Sequence, residues 1–187
     1  MVLVFVSKPG ILSNMEKSAQ QEIASLIPDA PSGDAEIQFD RGLRFASGTG
    51  AAQDFAQAAE CYRKAAEQSH SLAQFNLGVM YAEGQGVTAD AAESLVWFGR
   101  SAQLGDAGAQ SRLGDNFYHA SLRQPPSVAV ESRIEAYKWY RLAAAQGYKE
   151  SEASSGALSM KMTWADVAAG NTRVAAFVIG PQKLPQG

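Results

Sequence analysis

Apolar and small residues recur along this chain in a helical rhythm, and the rhythm itself repeats. Ala73, Leu77, Gly78 and Tyr81 share one stripe of a helix that stops at Gly84-Gln85-Gly86. Asp90 is then placed to N-cap a second helix, which buries Trp97 and Phe98 and closes near Gly105. The same marks stand 36 residues earlier: Ile37, Arg41, Gly42 and Phe45, then Gly48 and Gly50, Asp54, and Cys61-Tyr62. A third copy opens at Ala109-Gln110-Ser111-Arg112-Leu113-Gly114 and closes at Trp139-Tyr140-Arg141-Leu142-Ala143-Ala144-Ala145-Gln146-Gly147, with about six extra residues inside it. A period of this length means one supersecondary unit stacked on its own copies.

Within each unit the small residues form columns. Gly42, Gly78 and Gly114 fall mid-helix, where glycine costs roughly 0.5–1 kcal/mol relative to alanine. Three such glycines in register imply that a partner helix fills the space of the missing Cβ. Ala58, Ser94 and Ala136 form a second column, three positions before the aromatic pair.

Outside the three copies the pattern changes. Leu12, Met15, Ala19, Ile23 and Leu26 predict an amphipathic helix over 12–26, ended by Pro28 and Pro31. That helix either caps Phe39, Leu43 and Phe75 or leaves them open to a partner. In the third copy, Ser121-Leu122-Arg123-Gln124-Pro125-Pro126-Ser127 predicts a loop, with the helix resuming at Ser132. After Gly147 a fourth unit begins, with Gly156 at the Gly114 position, and lacks its aromatic half. Thr163 predicts an N-cap for a closing helix over 164–169, broken by Gly170-Asn171. The apolar run 174–179 is expected to pack on the last repeat. The resulting division is an extension at 1–33, repeats at 34–70, 71–106 and 107–148, a cap at 149–170 and a tail at 171–187.

The run Ala73-xxx-Leu77-Gly78-xx-Tyr81-xx-Gly84-x-Gly86-Val87-xx-Asp90, followed by Trp97-Phe98 and Ser101-Ala102-xx-Gly105, resembles the Sel1-like repeat, a relative of the tetratricopeptide repeat. Glu135 to Gly147 is close to that family's second helix, and Lys161-Met162-Thr163 is similar to the ending of bacterial members. Cys61 and Arg41 depart from the family's tryptophan and leucine, and the third copy lacks the glycine pair. The resemblance implies an all-α right-handed solenoid serving as a non-enzymatic adaptor or scaffold for a protein or peptide partner. It further implies that the first helix of each unit lines a concave groove. Phe39, Leu43, Ala46 and Ser47, then Phe75, Val79, Ala82 and Glu83, then Ser111, Asp115, Tyr118 and His119 would face it. Of these, Phe39, Leu43, Phe75, Val79, Glu83 and Tyr118 are the candidate partner-binding residues.

Composition adds exclusions. With 16 Lys+Arg against 19 Asp+Glu, and the basic residues scattered, there is no footprint for nucleic acid or an anionic membrane. No stretch approaches the ~18 apolar residues that membrane insertion needs. One cysteine among 187 residues permits no internal disulfide framework and no thiolate zinc site. The apolar start at residues 2–6 lacks a preceding positive charge and falls short of the roughly 7–15 residues of a secretory h-region. A bacterial cytoplasm, or a complex at the envelope, is the expected location, and Met15 is a candidate start with residues 1–14 a poorly ordered extension. A truncated or shifted reading frame is a further alternative for these ends.

Candidate chemistry is sparse. His70 falls in a turn and reads as solvated; Cys61, in the column of Trp97 and Trp139, reads as buried and inert. Gly48-Thr49-Gly50 and Gly84-Gln85-Gly86 follow helices rather than strands and are not phosphate loops. The competing reading is a small hydrolase-like or regulatory enzyme with a site near His119 and the 121–131 loop, needing Asp115 or Glu131 to converge there. No cofactor or metal is called for.

Overall fold

The computed structural model describes residues 34–50 and 52–177. The predicted helix over 12–26, the extension 1–14 and residues 178–187 lie outside them. Eight helices fill the described part: α1 (Ala35–Ser47), α2 (Phe55–Glu67), α3 (Ser71–Glu83), α4 (Ala91–Gln103), α5 (Ala107–Arg123), α6 (Pro126–Ala145), α7 (Lys149–Ser159) and α8 (Trp164–Ala175). Among the described residues there is no strand. The helices pair as α1·α2, α3·α4 and α5·α6, and each pair packs on the next through α2·α3 and α4·α5.

Local chemistry sets the boundaries. The side chains of Asp54, Asp90 and Asp106 each accept backbone N–H groups in the first turns of α2, α4 and α5, satisfying donors a helix leaves open. Thr163 and Asp166 form a reciprocal capping box on α8. α3 ends at Gly84, whose φ of +71° closes the last turn. Gly86 answers a different demand: a Cβ there would lie 2.1 Å from the Phe55 carbonyl oxygen of the preceding repeat. At the end of α2, Ser69 holds φ +66°, a left-handed place filled by Gly105 and Gly147 in the next two units.

The interior runs from unit to unit because the aromatic pairs of the second and third units, Trp97-Phe98 and Trp139-Tyr140, each divide between neighbouring clusters. Trp97 joins Phe39, Tyr62, Ala66, Leu77 and Met80 between the first two repeats. Phe98, the next residue, joins Ala102, Ala109, Leu113 and Trp139. Tyr140 then joins Ala136, Tyr137 and Leu158. Each mid-helix glycine lies flat against one of these rings. A Cβ on Gly42 would meet Tyr62 Cδ1 at 2.5 Å, one on Gly78 would meet Phe98 Cδ1 at 2.8 Å, and one on Gly114 would meet Tyr140 Cδ1 at 2.5 Å. In the second column, Ala58 and Ala136 are fully buried, and the Ser94 hydroxyl donates to the Gly78 carbonyl at 2.8 Å.

Three sequence expectations are corrected. The segment predicted as a loop at 121–131 is helical except at Gln124-Pro125: α5 runs to Arg123 and α6 starts at Pro126, not Ser132. Proline at the first helical position removes an N–H that had no partner there, so Pro126 opens the helix instead of blocking it. The closing helix does not break at Gly170. That glycine is buried mid-helix against Tyr137, whose Cδ1 would stand 2.5 Å from a Cβ, so α8 continues to Ala175 and past the expected boundary at residue 170. Gly156, by contrast, has nothing within 4 Å of its Cβ position and repeats the Gly114 position without repeating its contact.

α7 and α8 both pack on α6. Arg173 of α8 donates to Glu131 and Glu135 at 2.6 Å each, and Tyr137 donates to the Asn171 side-chain oxygen at 3.3 Å. Phe177 meets Trp139 edge-on at 5.6 Å between centroids, so the apolar run after α8 does start on the last repeat.

Candidate functional site

The candidate residues sit on α1, α3 and α5, the first helices of the three repeats, and the structure separates them by burial. Phe39 is 8% exposed, stacked on His70 at 4.5 Å and tilted against Tyr62 at 5.8 Å, so its ring is core and is not offered to a partner. Phe75 is half-buried on Phe98 at 5.5 Å, with Gly108 of the next unit close over its ring. Ser111, which the resemblance would also place on the groove side, is buried and accepts a hydrogen bond from the Ser151 hydroxyl at 2.9 Å. Leu43 and Glu83 are exposed, and Val79 and Tyr118 are half-exposed.

Two shallow depressions flank these uncovered side chains. One, of about 160 Å³, is lined by Ala46, Phe55, Tyr62, Asn76, Val79 and Met80. The other, of about 130 Å³, lies between α5 and α7 and is lined by Tyr118, Tyr140, Ser154, Ala157, Leu158 and Lys161. At its floor the Tyr140 hydroxyl donates to Asp115 at 2.8 Å. Burial, and then the hydrogen bond it gives Asp115, push the Tyr140 phenol well above its ordinary range. At its edge the Lys161 ammonium stands 5.8 Å from the centre of the Tyr118 ring. The face is thus largely apolar and partly aromatic beside Val79, with the Asn76 amide among its lining, and amphipathic, with a cation, beside Tyr118.

Among the described residues no hydrogen bond joins His119 to Asp115 or to Glu131. Asp115 is held by Tyr140, and Glu131 is held by Arg173, which keeps its carboxyl below the usual range. Among the described residues the exposed His119 ring has Tyr118 as its one aromatic neighbour, at 5.8 Å. His70 is not the solvated residue its turn position suggests. Its Nδ1 accepts the Ala73 N–H at 3.1 Å, capping α3 as Asp106 caps α5, and Nε2 donates to Glu36 at 3.1 Å. Cys61 is buried, and desolvation raises its thiol. Among the described residues no cluster of His, Cys, Asp and Glu is placed to hold a metal ion, and no helix is long and apolar enough to cross a membrane.

One column escaped the sequence reading although its signal was present. Gln38, Gln74 and Gln110 recur at the 36-residue spacing and are all buried. The Gln74 amide donates to the Ala66 carbonyl at 2.9 Å, and that of Gln110 to Ala102 at 3.2 Å, tying each first helix to the unit before it.

Stacked antiparallel helix pairs, ring-on-glycine contacts and a continuous interior define a helical-repeat solenoid. The Sel1 repeat family model matches residues 35–70, 71–106 and 107–148, and the chain belongs to that family. A Sel1 repeat protein from Oxalobacter formigenes is similar at 28% identity and a TM-score of 0.61, over 78% of this chain and 57% of that one. The protein c5321, a protective antigen present in uropathogenic Escherichia coli strains displaying an SLR fold, is similar at 28% identity and a TM-score of 0.61, over 86% of this chain. The chain spans little more than half the length of the first and 33% of the second. No curated relative matches it.

Proposed function

We propose that this chain is a non-enzymatic scaffold that holds a protein or peptide partner along the first-helix face. The observation that carries this is a set of side chains, exposed at Leu43 and Glu83 and half-exposed at Val79 and Tyr118 among the described residues, with one depression beside Val79 and another beside Tyr118. Extended or helical peptides suit such a face, with apolar side chains entering the depressions and polar ones meeting Glu83 and Lys161. Family membership supports the reading, since Sel1 repeats generally serve protein–protein interaction. As an adaptor in a bacterial cytoplasm, it is in keeping with a single cysteine that is buried and unpaired.

The test is capture by the purified chain, wild type against Leu43→Glu and Glu83→Lys, with circular dichroism as the control on folding. Phe75 is a poor probe, because its ring packs on Phe98. A partner on this face should be lost at least tenfold with either variant at unchanged helicity, a change of about 1.4 kcal/mol or more. Equal capture by all three proteins removes the face from the site.

A further inference from the structure

A further cleft among the described residues lies away from that face. It measures about 540 Å³ and opens between the second helices α2 and α4, lined by Ala66, Glu67, Gln74, Leu95, Val96, Arg100, Gln103 and Leu104 among others. That volume is in the range of built ligand pockets. Val96 is 45% exposed in it.

The cleft holds an unfulfilled hydrogen bond. Gln74 is 4% exposed; its amide is used on Ala66, yet its Oε1 has no partner. Gln103 Oε1 is buried and unpartnered as well. Nearly all buried side-chain acceptors are satisfied, because one left bare forfeits the hydrogen bond that water gave it in the unfolded chain.

The neighbouring repeat shows what would satisfy it. There the corresponding Gln110 Oε1 accepts the side-chain amide of Gln146 at 2.9 Å. Gln146 is the residue just past α6, and the residue just past α4 is Leu104. Leucine has no N–H to give, so the second repeat keeps the acceptor and lacks the donor. We propose that this cleft binds a peptide segment of a partner protein by inserting a glutamine or asparagine side chain, whose carboxamide takes the place that Gln146 fills in the next repeat. The chemistry selects that group on three counts. A carboxamide carries two N–H donors, matching in number the two bare oxygens of Gln74 and Gln103. Being neutral, it enters a cleft walled by Leu95, Val96 and Leu104 without the desolvation cost of an ammonium. The rim carries one charge of each sign, Glu67 and Arg100, neither in an ion pair among the described residues, so recognition falls to the amide and not to net charge.

The test titrates the isotope-labelled full chain with acetyl-Leu-Gln-Leu-amide and with the same peptide carrying glutamate in place of glutamine. Saturable shifts are expected at the backbone amides of Leu95, Val96, Gly99, Gln103 and Leu104 with the glutamine peptide, with binding at least tenfold weaker for glutamate. Leu104→Gln supplies the missing donor from within and should abolish the response, while Leu43→Glu should leave it intact, which separates this site from the first-helix face. Equal binding of the two peptides, an undiminished response in Leu104→Gln, or no saturable shift up to about 10 mM peptide overturns the assignment. So does a crystal structure in which a water satisfies Gln74 Oε1 and the peptide leaves it in place. The peptide comparison needs no variant, so it decides even where Leu104→Gln does not fold.

Discussion

Gly114→Ala offers the sharpest test of the packing. In an open helix the change stabilises by roughly 0.5–1 kcal/mol, the penalty glycine carries. At position 114 the new methyl would lie 2.5 Å from Tyr140 Cδ1 and 2.6 Å from Cε1, well inside contact distance. The ring cannot tilt away freely, because its hydroxyl is bonded to Asp115 at 2.8 Å. Overpacking of this kind costs about 1–3 kcal/mol, and a bond to a carboxylate about 1.5–3 kcal/mol if it is given up. With the Tyr140–Asp115 bond kept, the net expectation is a loss of about 1 kcal/mol and at most about 2.5 kcal/mol, after the propensity gain is subtracted. Gly99→Ala is the internal control: it sits mid-helix in α4 with nothing within 4 Å of its Cβ position, and should gain about 0.5–1 kcal/mol. Urea unfolding followed by circular dichroism at equal protein concentration measures both. A second cycle, Gly114→Ala with Tyr140→Leu, should lose less than the sum of its parts, since the smaller side chain vacates the contact. A Gly114→Ala midpoint at or above wild type, or strict additivity in the cycle, would refute the ring-on-glycine account.

Three further outcomes follow from the structure. Glu131 titrates below its ordinary range because Arg173 donates to it, so the stability it adds is present above the unfolded value of 4.5 and disappears as pH falls through the lowered one. Unfolding of wild type and Glu131→Gln should therefore differ at neutral pH and converge under acid, by well under 1 kcal/mol for so exposed a pair; a gap that persists under acid contradicts the pairing. Cys61 should resist a disulfide reagent until urea opens the fold, since burial both hides the thiol and disfavours its thiolate; rapid labelling of the native chain would show otherwise. Ser69→Gly should raise stability by about 1 kcal/mol or less, relieving a left-handed residue at the cost of chain entropy, and a lowered urea midpoint would mean that the serine side chain matters more than its φ.

The repeat, its caps and its glycine column are readable without coordinates because each is a residue type forced by one contact and copied at one spacing. Asp54 and Asp90, Gly42 and Gly78 carry that signal in both adjacent units, and the structure puts the same atoms in the same places. Where one residue type can answer two demands, sequence misleads. Gly170 reads as a helix end, yet the Tyr137 ring calls for a missing Cβ mid-helix. Pro125-Pro126 reads as a barrier, yet Pro126 stands where a helix needs no donor. The family resemblance implies that Phe39 and Phe75 face the groove, but the rings that cover them, His70 and Phe98, are seen only in the folded chain. The bare Gln74 oxygen is legible only in outline: the glutamine column shows in the sequence, while its missing partner appears only when Leu104 is seen beside it.

The third hairpin has consequences for the outline of the molecule. α5 and α6 contain 17 and 20 residues against 13 in α3 and 13 in α4. At about 1.5 Å per residue those increments are roughly one turn and two, some 6 Å and 10 Å of added length. Growth in whole turns lets a spur project from the edge of the stack, tipped by Leu122 and Val128 at 65% and 50% exposure, without shifting the phase at which Gly114 greets Tyr140. Arg173 of α8 touches the flank of this extension through Glu131, and the added length gives the third unit an outline that the second does not share.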